Sequence, residues 1–165
     1  MGVPNIEKRE NELVSLAFKE LRKIEGIHIL ADHTEDRLGV FSFYHKNIHY
    51  NLIVKLLNDR FGIQVRGGCA CAGTYGHYLL NVSYQDSRMI TELINHGDLS
   101  KKPGWVRWSL HPTTRNDEVY YFAGALKSII ENIDEWKKDY TYDKHLNEFI
   151  HKEFEQFNVE NWFKL

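Results

Sequence analysis

The sequence predicts an α+β domain with a small mixed or antiparallel sheet covered by helices. Three observations carry this. Short apolar runs of strand length and longer stretches with helical spacing both occur along the 165 residues. They mix without the strict alternation that marks a parallel sheet. The composition is 42% hydrophobic and 27% charged, ordinary for a globular domain with a real core.

The elements follow in order. Residues 5–25 read as an amphipathic helix, with Ile6, Leu13, Leu16, Ala17, Leu21 and Ile24 near helical spacing and Gly26 as its stop. Ile27–Ala31 is a short strand, 32–37 a polar turn, and Leu38–His45 a second strand. Residues 48–60 form a helix that buries Ile48, Leu52, Ile53, Leu56 and Leu57, and Ile63–Arg66 is a third strand. The glycine-rich stretch 67–78 has no clear period and reads as a loop. Ser83 or Asp86 caps a helix that runs to about Asn95. A linker over 97–104 contains Pro103, and Trp105–His111 is a fourth strand. Residues 115–138 form a long helix, with Val119, Phe122, Leu126, Ile129, Ile130 and Ile133 inward. A last helix over about 143–157 groups Leu146, Phe149, Ile150 and Phe154. The expected organisation is one domain over 1–140 and a helical extension over 141–165.

The net charge of −2 gives no electrostatic case for nucleic acid. No apolar run has the length of roughly 20 residues that spans a bilayer, so no membrane partner is expected. Two cysteines one residue apart are poorly placed to bridge each other, and a reducing, cytoplasmic location is the default.

The chemistry concentrates in Arg66-Gly67-Gly68-Cys69-Ala70-Cys71-Ala72-Gly73. A strand here runs into a glycine-rich bend with two thiols beside a fixed positive charge. Thiolate is the nucleophilic form of cysteine, and a nearby cation favours it. On residues alone, two small buried cysteines in a tight turn are the commoner explanation. A zinc site is weakly supported, since a closed site needs four ligands and only His77 lies near the pair. Arg107, between Val106 and Trp108, must lie on the opposite face from both.

The run from Phe61 to Gly73 resembles the active-cysteine region of the class V aminotransferases, which include the cysteine desulfurases. Their pattern is a Gly-Ile-x-Val-Arg strand with the reactive cysteine five residues after the arginine, here Arg66 and Cys71. Val106-Arg107-Trp108-Ser109-Leu110 resembles the family's Val-Arg-x-Ser-Leu strand. Asn116-Asp117-Glu118-Val119 is similar to the start of its last helix, and Gly39-Val40-Phe41-Ser42-Phe43 to an earlier strand. The matches keep the family order over residues 5 to 137.

The resemblance implies the small C-terminal domain of a fold type I pyridoxal-phosphate enzyme. It implies Cys71 as catalytic sulfur acceptor, forming a persulfide, and Arg107 as the substrate-carboxylate ligand, with Arg66 as a second substrate contact. A guanidinium matches a carboxylate with two parallel hydrogen bonds. Cys69 is read as a space-filling thiol, and His111, Thr113 and Thr114 as loop residues. The implied partners are cysteine or a related amino acid, the large cofactor domain of the same enzyme, and a second copy in a homodimer. The Schiff-base lysine belongs to that large domain. His45-Lys46 imitates its motif, but at a strand-to-helix turn of the small domain. The isolated chain is therefore expected to be inactive. A longer stretch separates Cys71 from Arg107 than in simpler desulfurases. That leaves a class V transaminase or lyase without a nucleophilic cysteine as an alternative. A stand-alone thiol or metal-binding module, or an interaction domain docking through 143–165, are the others.

Overall fold

The computed structural model describes residues 2–69 and 73–153. In chain order the elements are α1 (Val3–Leu21), β1 (Ile27–Ile29), β2 (Val40–His45), α2 (Tyr50–Phe61), β3 (Arg66–Gly68), α3 (Gly73–Leu79) and α4 (Tyr84–Asn95). Then come β4 (Trp105–Ser109), α5 (Asn116–Trp136), β5 (Tyr140–Asp143) and β6 (Glu148–His151). Four strands make one sheet in the order β1-β2-β4-β3, and every pairing is antiparallel. This is the α+β class read from the sequence.

One face of the sheet carries the core. Phe41 stands opposite Trp108 and Phe43 opposite Val106, and all four are buried. Helices α1 and α5 pack over them through Leu13, Ala17, Phe18, Phe122, Leu126 and Ile129. The Trp108 and Phe122 rings stack with centroids 3.9 Å apart, and Phe18 meets Phe41 edge-on at 4.9 Å. Such pairs add about 0.5–1.5 kcal/mol each beyond their area burial. Helix α2 closes the core with Ile53, Leu56 and Leu57. Ser83 is the N-cap of α4, its Oγ accepting from the Asp86 amide at 3.1 Å.

Three expectations are corrected. The third strand lies at Arg66–Gly68 rather than 63–66; Ile63 and Val65 pack on the core without joining the ladder. The stretch read as a loop contains α3. Its glycines hide the helix; buried Gly76 faces the Trp105 ring, which a Cβ there would meet at 3.4 Å. The extension over 141–165 is not helical in its described part; it is the β5–β6 hairpin, and residues 154–165 lie outside the described residues. Its period is two. Tyr142 pairs with Phe149, and both rings lie against His49, at 5.3 and 5.4 Å. Asp143 Oδ1 accepts from the amides of His145 and Leu146, which folds the turn, and Asn147 takes a left-handed φ of 58° that a helix excludes. Leu146 is 63% exposed, so the apolar helix face inferred from it does not exist.

His49 caps α2, its Nδ1 accepting from the Asn51 amide at 3.1 Å. The neutral ring then carries its proton on Nε2, which is buried without a hydrogen-bond partner among the described residues. Burial pushes the His49 pKa below its ordinary 6.5. His45 is lowered too, by burial and then by the charge of His28. The unfolded chain binds these protons more readily than the folded one. The stability they contribute is therefore complete above about pH 6.5 and is lost as pH falls below it. Thermal melts from pH 7.5 down to 5 should show a falling midpoint, and His49→Asn, which keeps a capping side chain, should reduce that slope.

Candidate active-site groove

Strand β4 must bury Val106 and Trp108, so alternation turns Arg107 and Ser109 to the other face. Strand β3 pairs with β4 so that Arg66 is directly opposite Arg107, and Ser42 of β2 flanks Arg107 on its other side. Directly opposite residues share a face, with Cβ atoms about 4.5–5.5 Å apart. Arg66 is exposed and Arg107 half-buried. Among the described residues neither guanidinium has a hydrogen-bond or ion-pair partner. An unpartnered guanidinium pair of this kind suits an anion.

The pair borders a groove of about 880 Å³. Asn51, Val54 and Asn58 of α2 form one wall, Gln64–Gly67 the floor, and Asn147–His151 of the hairpin the far wall. Lys55 also lines it, with its ammonium 3.3 Å from Asp59.

Two glycines beside the groove, Gly67 and Gly104, serve close packing. A Cβ on Gly67 would overlap Asn51 Oδ1 and come within 3.1 Å of Tyr50 and Val54. A Cβ on Gly104 would fall 2.5 Å from the Tyr50 ring. Gly68, at φ 122°, has open space but a backbone conformation that L side chains rarely adopt. Burial raises the Tyr50 hydroxyl above its ordinary 10.0, so it stays protonated.

Of the residues singled out from the sequence, Arg66 and Arg107 come together. Cys69 is half-buried at the end of β3, backed by Gly76. Cys71 lies outside the described residues. His111, Thr113 and Thr114 bond to one another, His111 Nδ1 lying 2.8 Å from Thr113 Oγ1, and close a turn after β4. His77 bonds Ser87 Oγ at 2.8 Å and ties α3 to α4. His45 and Lys46 sit at the β2–α2 turn, where His45 Nδ1 accepts from the Asn47 amide. No group of three or more His, Cys, Asp or Glu among the described residues is placed to hold a metal. Asn51, Asn58, Gln64 and Asn147 escaped sequence reading; only the turn-forming Asp143 and Asn147 carried a local signal.

Pyridoxal phosphate asks for a free lysine amine, an acidic partner at the ring nitrogen and donors around the phosphate. Among the described residues the groove's Lys55 is engaged with Asp59, and its other Arg, Lys, Asp or Glu side chains are Arg66, Arg107 and Glu148 of the hairpin wall. The described residues therefore do not by themselves fit this cofactor.

Sheet order and helix cover define a small α+β domain whose groove carries Arg66 and Arg107. A family model described as Aminotransferase class-V matches residues 1–122. The chain belongs to the class V aminotransferase family. A probable cysteine desulfurase of Staphylococcus aureus strain Mu50 is 32% identical over 104 residues, covering 58% of this chain and 25% of that protein. The corresponding protein of strain COL is 31% identical over the same length and shares. The apo structure of a cysteine desulfurase from Thermococcus onnurineus NA1 superposes with a TM-score of 0.55 at 23% identity, covering 79% of this chain and 27% of that one. At that identity the likeness speaks to the fold. The chain spans about a quarter of the length of these relatives.

Gly67→Ala should destabilise the domain by about 1–3 kcal/mol through forced repacking. Gly124→Ala, in the interior of α5 with open space around it, should instead stabilise it by up to about 1 kcal/mol. Urea unfolding of both variants checks the contrast.

Proposed function

We propose that this chain is the C-terminal domain of a pyridoxal-phosphate-dependent class V enzyme of the cysteine desulfurase type. The observation that carries the reading is the unpartnered Arg66–Arg107 pair on the groove. Its geometry suits the α-carboxylate of an amino acid. Arg107 grips the carboxylate through its planar fork, and Arg66 adds a second positive charge. Cys71 accepts the substrate's sulfur as a persulfide, and alanine is the other product. The transfer needs the thiolate form of Cys71, which a nearby cation favours. The cofactor supplies the electron sink and is held by the enzyme's large domain. Cysteine or a related amino acid is the substrate, the complete enzyme is a homodimer, and its location is cytoplasmic. The probable cysteine desulfurases among its relatives favour this chemistry within the family.

The test is the complete enzyme incubated with L-cysteine, reading sulfide release and the mass of the Cys71 peptide. The peptide should gain one sulfur atom. Cys71→Ser should abolish sulfide release. Arg107→Lys keeps the charge but loses the fork, and should raise KM by about 10–100-fold, the worth of a hydrogen bond to a charged group. Full activity in Cys71→Ser would point to a transaminase or lyase instead.

A further inference from the structure

Strand β3 is three residues long, lies at the sheet edge, and two of its residues are glycines with no side chain to anchor it. Yet it must stay in register for Arg66 to stand opposite Arg107. What lies against it is Tyr50. The ring fills the space where a Cβ on Gly104 would be and comes within 3.1 Å of one on Gly67, whose nearest neighbour is Asn51 Oδ1, and Gly104 in turn approaches the Gly68 backbone. Tyr50 is 6% exposed and stacks on His49 at 4.5 Å. Its hydroxyl accepts from Asn147 Nδ2 at 2.7 Å. Asn147 is 8% exposed, and the Tyr142 hydroxyl donates to its Oδ1 at 2.8 Å. Asn51 Nδ2 donates to the Asn147 carbonyl at 2.5 Å, while Asn51 Oδ1 faces Gly67. The hairpin, α2 and β3 thus form a closed chain of contacts around Asn147. Asn147 holds a left-handed φ at this point, a local strain that its bonds must sustain. It also lies beyond residues 1–122 that the family model matches.

We propose that Asn147 and Tyr50 are positioning residues of the groove: the hairpin, acting through Asn147 and the Tyr50 ring, holds β3 on β4 so that Arg66 stays opposite Arg107. The kinetic consequence rests on the proposed function; the placement of β3 does not.

The experiment has two arms. The first is amide hydrogen exchange on the chain with Tyr50→Phe, which keeps the ring, and with Asn147→Ala. Both variants remove the Asn147–Tyr50 hydrogen bond, and Asn147→Ala also removes the one from the Tyr142 hydroxyl, so exchange of the β3 amides should speed up by about tenfold in Tyr50→Phe and by at least that in Asn147→Ala. Amides of α1 and α5 should change by less than about twofold, and the double variant should add little, because the pair acts as a unit. Equal acceleration in β3 and the helices would mean a general loss of stability and would overturn the proposal, as would an unchanged β3. Should Asn147→Ala fail to fold, Tyr50→Phe alone decides this arm. The second arm is the complete enzyme with L-cysteine. Tyr50→Phe should raise KM severalfold with kcat within about twofold, the pattern of lost binding shared by ground and transition states. A drop in kcat at unchanged KM would contradict the positioning role. A wild-type enzyme that releases no sulfide would sink the proposed function, and the exchange arm would still decide the placement of β3.

Discussion

Everything that makes this domain more than a packed sheet depends on the burial of Val106 and Trp108. Their side chains enter the core beneath α1 and α5, and Trp108 lies flat on Phe122. A strand that commits its even positions to one face commits its odd positions to the other. Arg107 is therefore projected away from the core by the same packing that stabilises the fold. Losing the Trp108 contact would cost both stability and the direction in which the guanidinium points.

A second arginine reaches the same place only through register. A slip of one residue in β3 would send Arg66 to the far face and leave Arg107 alone. The strand is too short to defend its register by its own ladder, so the surroundings do it. Tyr50, Asn51 and Val54 crowd the face where only a glycine at 67 fits.

The large elements were legible in the sequence because they follow apolar periodicity: α1, α2, α5 and the β2 and β4 strands fall close to where Leu13, Ile53, Phe122, Phe41 and Val106 place them. Ser83 was readable as a cap because its hydroxyl chemistry is local. What escaped reading is set by contacts distant in sequence. Helix α3 exists against Trp105 despite glycines that disfavour helix. The hairpin was mistaken for a helix because Leu146, Phe149 and Ile150 also fit a helical period; the buried bonds of Asn147 to Tyr50 and Asn51 decide otherwise. For the site, motif resemblance singled out Arg66, Arg107 and Cys71. The opposition of the two arginines and the hairpin wall needed the register and the tertiary contacts.

The central claim is that β-sheet register builds an anion seat from Arg66 and Arg107. The most direct measurement is an NMR titration of the chain's arginine Nε–H signals with a small carboxylate such as acetate, with chloride at equal ionic strength as the control. The account predicts that the Arg66 and Arg107 signals shift together with one midpoint, and that Arg107→Lys weakens the response at Arg66. Signals that move only as they do with chloride, or that titrate independently of each other, would contradict it.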